Sequence, residues 1–127
     1  MRISIKHRKD KLDELQFYQD AMALWDDCWE DCDILMKDPR GRELAKQLTN
    51  AVGSVCANIE EGYGRGFGKE YPHFLRISRG SARESKGHYL RSKFLLPKST
   101  IEDRVERLES IGARITKTIG TLESKRR

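Results

Sequence analysis

A chain of 127 residues is long enough for one hydrophobic core and too short for two domains. Apolar residues make up 37% and charged residues 35%, which suits helices that bury one stripe each, and three prolines with ten glycines exclude a low-complexity disordered chain. The net charge of +5 is segregated: residues 1–11 carry five Lys/Arg against Asp10 (+4), residues 12–39 nine acids against Lys37 (−8), and residues 40–127 nineteen bases against ten acids (+9). Such segregation points to oriented contact with a polyanion, with another subunit, or with both.

The basic start, MRISIKHRKDK, is not followed by an apolar stretch of the secretory kind, and no run approaches the roughly 20 apolar residues of a membrane span. A cytoplasmic protein with no membrane partner is therefore expected. An odd number of cysteines, three, argues against a disulfide framework. Cys28 and Cys32 share a helical face but have no His or further Cys nearby, so they read as small buried apolar residues and no metal or other cofactor is expected.

The first expected helix covers about residues 13–38. Leu15, Tyr18, Met22, Trp25, Trp29, Cys32 and Met36 alternate at spacings of three and four, which predicts a buried seam with both tryptophans in the core. The acids take the other faces, and Asp38-Pro39-Arg40-Gly41 is expected to end the helix. A second helix over about 42–61 buries Leu44, Leu48, Val52, Val55 and Ile59 and ends at Gly62. The connection that follows, Gly62 to Gly68, has glycines at alternate positions but no preceding strand and no Gly-Lys-Ser/Thr end. It reads as a helix stop and turn, not as a phosphate loop.

The third helix is expected over about 69–96, with Pro72 tolerated in its first turn. A fourth, over about 99–124, buries Ile101, Val105, Leu108, Ile111, Ile115, Ile119 and Leu122, with Ser99 or Thr100 as cap. A basic tail, residues 125–127, follows. With no two-residue alternation anywhere, residues 1–127 form a single all-α domain, and short links favour an antiparallel up-down four-helix bundle.

The third helix carries the most informative charge. At 100° per residue Lys69, Arg76, Arg79, Arg83, Lys86 and Lys93 fall in a sector roughly 120° wide, and the acids Glu70 and Glu84 lie off it. Like charges at helical spacing repel, a cost that a partner would relieve. RNA or DNA backbone is one such partner, and the acidic first helix of the same or a neighbouring subunit is another. No base-reading motif is recognisable, so backbone contacts would lead. Gly80 and Gly87, among Ser78, Ser81, Ala82 and Ser85, are expected to allow close helix approach.

Catalytic residues are not found. His7, His73 and His88 are scattered without a spaced nucleophile or acid, and His73 and His88 read as surface or interface residues. Asn58 and Glu61 make a poor acid–base pair and read as hydrogen-bonding residues that tie the helix end to the glycine connection.

Residues 47–65, QLTNAVGSVCANIEEGYGR, and 74–84, FLRISRGSARE, resemble two signatures of the four-helix bundle proteins encoded in 23S rRNA intervening sequences. The resemblance covers roughly residues 14–122. Gln47, Ser54, Asn58, Ile59, Glu61, Gly62 and Arg65 match the first motif, and Phe74, Leu75, Ile77, Gly80, Ser81 and Glu84 the second. Where relatives have Arg-Arg in the first motif, this chain has Thr49-Asn50, which leaves the third helix as the main basic element. The family is similar to the accessory variability determinant proteins of diversity-generating retroelements. The resemblance implies a homopentameric barrel with a basic surface, a homo-oligomer that binds nucleic acid beside a reverse transcriptase. The members encoded in rRNA have no assigned activity. On this reading the nucleic-acid-binding residues are Arg65, Lys69, Arg76, Arg79, Arg83, Lys86 and Lys93, and Gln47, Ser54, Asn58, Glu61, Gly62, Gly80, Ser81 and Glu84 are structural. The alternative is an interaction scaffold whose charged faces serve homo-oligomer assembly.

Overall fold

The computed structural model describes residues 3–66 and 68–125. Residues 3–10 of the basic arm are exposed and lead into a short 3₁₀ turn, Lys11–Glu14. Four helices follow: α1 (Gln16–Leu35), α2 (Pro39–Arg65), α3 (Glu70–Arg91) and α4 (Lys98–Lys125), with no strand among the described residues. Arg2 of the arm, Phe67 of the glycine connection and Arg126 and Arg127 of the tail lie outside the described residues.

The helices form an antiparallel four-helix bundle. Cys32 reaches Ala45 and Tyr18 reaches Glu60 between α1 and α2, while Ser54 meets Ser81 between α2 and α3. Lys86 meets Glu109 and Arg76 meets Glu123 between α3 and α4. Each helix packs beside the next, and α4 closes against α1. Leu24, Leu48, Val52, Leu75, Tyr89, Ile111 and Ile115 fill the centre with almost no exposure. The seams expected for α2 and α4 are the ones observed, with Leu44, Val105 and Leu122 only partly covered.

Several boundaries differ from expectation, each for a local reason. Asp38-Pro39 starts α2 instead of only stopping α1: the Asp38 carboxylate accepts from Arg40 N at 2.8 Å and Pro39 takes the first helical position. Gly41 then packs so tightly that a Cβ would lie 2.0 Å from the Leu35 carbonyl oxygen. Gly62 does not end α2. It lies buried inside the helix, where a Cβ would come within 2.9 Å of Phe74 Cβ, and the helix runs on to Gly66, whose φ of 74° ends it. The helix α3 stops at Arg91, and Ser92 to Leu96 continue as turns. The helix α4 opens at Lys98, which places Ser99 and Thr100 inside its first turn instead of at the cap.

The seam of α1 is the largest correction. Its buried residues are Phe17, Tyr18, Ala21, Leu24, Cys28, Asp31, Cys32 and Leu35. Met22, Trp29 and Met36 are 42%, 60% and 55% exposed, and Trp25 is partly buried against Gly53. The helix has two apolar stripes, and the one that carries the small residues Ala21 and Cys28 near its middle faces the centre, where an indole would overfill the space between helices. Cys28, Cys32 and Cys56 are free and buried. Burial pushes the Cys56 thiol up to about 12.

Candidate nucleic-acid interface

Two helices build the basic face. On α3, Arg76, Arg79, Arg83 and Lys86 follow one another at helical spacing and project over α4. Lys69 and Lys93 do not continue the stripe as helical residues. Lys69 precedes the helix, and Lys93 lies in the turn beyond it with its ammonium 5.3 Å from the Phe94 ring centroid. Four cations over about 15 Å of helix therefore remain as the helical part of the stripe.

The α4 side answers them unequally. Arg76 pairs with Glu123 at 2.5 Å, Arg79 donates to Thr116 Oγ1 at 3.1 Å, and Lys86 pairs with Glu109 at 2.9 Å. The register follows from the last two contacts. One helical turn from Arg79 and Thr116, or from Lys86 and Glu109, sets Arg83 opposite Gly112. At that step α4 has no side chain to offer. A Cβ built on Gly112, or on Gly80 nearby, would meet nothing within 4 Å. The result is a groove of about 490 Å³ between α3 and α4, with Ala82 and Leu108 among its lining residues.

Gly80 therefore does not serve close helix approach, and a Cβ on Gly87 would first meet the Arg91 side chain, at 3.2 Å. The close α2–α3 contact is made by the serines and alanine instead. Ser78 donates to the Val55 carbonyl at 2.8 Å, Ser81 meets Ser54 at 2.8 Å, and Ala82 is buried.

Of the signature residues, Ser54, Asn58, Gly62, Phe74 and Ser81 gather on the opposite side of α3, against α2, whereas Gly80 lines the groove. Asn58 donates to the Ser54 carbonyl (2.8 Å) and to its hydroxyl (2.9 Å), so it does not tie down the glycine connection. That tie is made by Arg65, which bonds Glu61 at 2.8 Å, approaches Glu70 at 3.5 Å and lies over the Phe74 ring. Glu61 and Glu70 hold the Arg65 guanidinium above its ordinary pKa. Arg65 is thus engaged by two carboxylates away from the α3–α4 groove. Gln47 and Glu84 border a shallow polar depression with Asn50, His88 and Arg91. His88 is buried beside Arg91, at 3.0 Å, instead of lying on the surface, whereas His73 is exposed.

Within the subunit the carboxylates of the acidic first helix pair with arginines of α4, not with the basic stripe of α3. Asp31, only 4% exposed, takes two hydrogen bonds from Arg104 (2.8 and 3.0 Å) and one from the Tyr89 hydroxyl (2.7 Å). Asp27 pairs with Arg107 at 2.5 Å, and Asp20 approaches Arg114 at 3.9 Å. The Asp31 bonds hold Arg104 above its ordinary value, and burial does the same for Tyr89. Neither this cluster nor the α4 wall of the basic groove stood out in the sequence. The available signal was Gly112, a helix-weakening residue in the middle of a regular seam.

The sequence matches the family described as 23S rRNA-intervening sequence protein over residues 13–119. The chain belongs to that family. A search of the curated proteins returns no match. Among solved structures, the bundle is similar to a protein of unknown function from the S23 ribosomal protein family of Bacteroides thetaiotaomicron VPI-5482. The TM-score is 0.74 at 15% identity, covering 81% of this chain and 97% of that one, a likeness of fold. Within the family fold, no helix among the described residues is long and apolar enough to cross a membrane. No group of three or more His, Cys, Asp or Glu among them is placed to hold a metal.

Proposed function

We propose that this family member is a non-catalytic, homo-oligomeric nucleic-acid-binding protein of the cytoplasm. Its binding face is the α3 stripe, and its role is that of an accessory to a retroelement reverse transcriptase, held on template RNA or cDNA. The observation that carries the reading is the incomplete neutralisation of that stripe. Four cations stand in a row, and Arg83 makes no ion pair among the described residues. A polyanion supplies the missing negative charge and releases its own counterions in doing so.

The test is binding of labelled RNA and DNA across a salt series by the protein and its Arg76→Glu/Arg79→Glu/Arg83→Glu variant. Binding is expected at low salt, falling steeply as salt rises, and at least tenfold weaker in the variant at unchanged helicity. Absence of binding by the unaltered protein at low salt would remove the proposal.

A second reading is favoured by the exposed stripe of α1. Trp29 and Met36 form an apolar groove with Thr49 of α2, rimmed by Asp33, and Phe94 projects elsewhere with 86% exposure. Here the charged and aromatic faces serve self-association, with five subunits resting on the resemblance alone. The same triple variant separates the two: loss of nucleic acid at constant mass in light scattering supports the first reading, and a fall in mass the second.

A further inference from the structure

We infer that the gap opposite Arg83, between Gly80 and Gly112, is a slot for single-stranded nucleic acid. The inference rests on the nucleic-acid reading above and sharpens it from a charged face to a shaped site.

Three features distinguish the gap from a solvated basic surface. First, the α3–α4 ladder is occupied on both sides of it: Arg79 has Thr116, Lys86 has Glu109, and at the step between them Arg83 faces a glycine. Second, two helices each lack a side chain there, and a Cβ at either Gly80 or Gly112 would project into open space. Both glycines lower helix propensity without serving any close contact. Third, Ala82 and Leu108, both 2% exposed, lie beneath the cationic rim, so the groove joins an apolar floor to a row of donors.

A phosphate set between Arg79 and Arg83 would supply the negative charge that Gly112 does not. The attached sugar and base would lie over the glycines and the apolar floor, with guanidinium planes available for stacking. A duplex fits less well. Its phosphates lie on a convex surface and reach the outer cations, but its bases stay stacked inside and cannot enter a recess between two helices without being flipped out. The volume, about 490 Å³, lies within the range of small-molecule sites, so a free nucleotide shares the chemistry. The continuation of the cationic row to Arg76 and Lys86 on either side favours a strand.

The experiment measures binding of a labelled single strand, a duplex of the same sequence, and a nucleoside monophosphate as competitor. It uses the full chain, Gly112→Leu, Gly112→Glu, Gly112→Ala and Ala113→Glu. Ala113 is exposed on α4 and does not line the groove, so Ala113→Glu repeats the charge change without filling the gap. The expected result is preference for the single strand, with at least tenfold weaker binding in Gly112→Leu and Gly112→Glu. Less than threefold change is expected in Gly112→Ala and Ala113→Glu. Equal affinity for duplex, or filled variants no worse than Ala113→Glu, overturns the slot while leaving a basic binding face intact. Competition by the monophosphate at concentrations matching the strand's own affinity overturns the strand in favour of a nucleotide. Failure of the unaltered chain to bind any probe at low salt removes the underlying reading and the slot with it.

Discussion

Two interhelical faces of this bundle are built on charge, and α4 contributes to both. Toward α1 it presents Arg104 and Arg107, and toward α3 it presents Glu109 and Glu123. On the first face the central pair is sunk: the Asp31 side chain is 5% and Arg104 16% exposed, and Tyr89 completes the set. On the second, every paired side chain is at least 36% exposed and one step of the ladder is empty. Segregated charge alone therefore does not mark a ligand surface. A closed, buried set spends its attraction on the fold, whereas an exposed and incomplete one leaves positive potential facing solvent.

The largest effect that separates the faces is expected from Asp31→Ala. It leaves the partly buried Arg104 with the half-exposed Asp103 in place of a buried carboxylate and the Tyr89 hydroxyl without its acceptor, a loss of about 3 kcal/mol. Glu109→Gln on the other face removes a pair open to solvent and should cost under about 0.5 kcal/mol. Urea midpoints at constant slope give both values. Equal costs would mean that the two faces do not differ in the way their burial indicates.

A smaller effect of opposite sign belongs to the glycines of the groove. Gly80→Ala and Gly112→Ala place a methyl where nothing lies within 4 Å and restrict the unfolded chain. Each should stabilise by about 0.5–1 kcal/mol, visible as a raised thermal midpoint. A destabilised variant would show that the space above these positions is needed by the fold, which would undercut a ligand slot.

The bundle was legible because α2 and α4 each repeat large aliphatic residues on one face only, so the seam in the sequence is the seam in the core. The helix α1 misled because it has two candidate stripes. Periodicity weighs Trp29 and Met36 heavily, whereas packing selects Ala21, Leu24 and Cys28 for their fit between neighbours. The stripe on α3 was legible as charge, because Arg76, Arg79, Arg83 and Lys86 share a face of one helix. What surrounds it was not. Whether Arg83 meets a carboxylate or a glycine depends on the α3–α4 register, which no single-helix pattern contains. The pairing of Asp31 with Arg104, 73 residues apart, is hidden for the same reason.

A small, pH-dependent effect tests whether charge or packing holds the rim of the buried face. Asp103 accepts from Arg104 at 2.5 Å and from Arg107 at 3.1 Å with half its side chain exposed. Burial works to raise its carboxyl pKa, but the two guanidinium groups outweigh burial and hold it below the ordinary 3.8. A carboxylate depressed by folding contributes stability that is present above its unfolded pKa and is lost as pH falls through the lower folded value. Asp103→Asn should therefore cost about 0.5 kcal/mol near neutrality, discounted for exposure. That difference should shrink toward zero in acid, where the native carboxyl is itself neutral. Denaturation of both proteins across the acid range reads this directly. A difference that persists in acid would assign Asp103 to packing at the rim and leave Asp27 and Asp31 as the charges that hold α1 to α4.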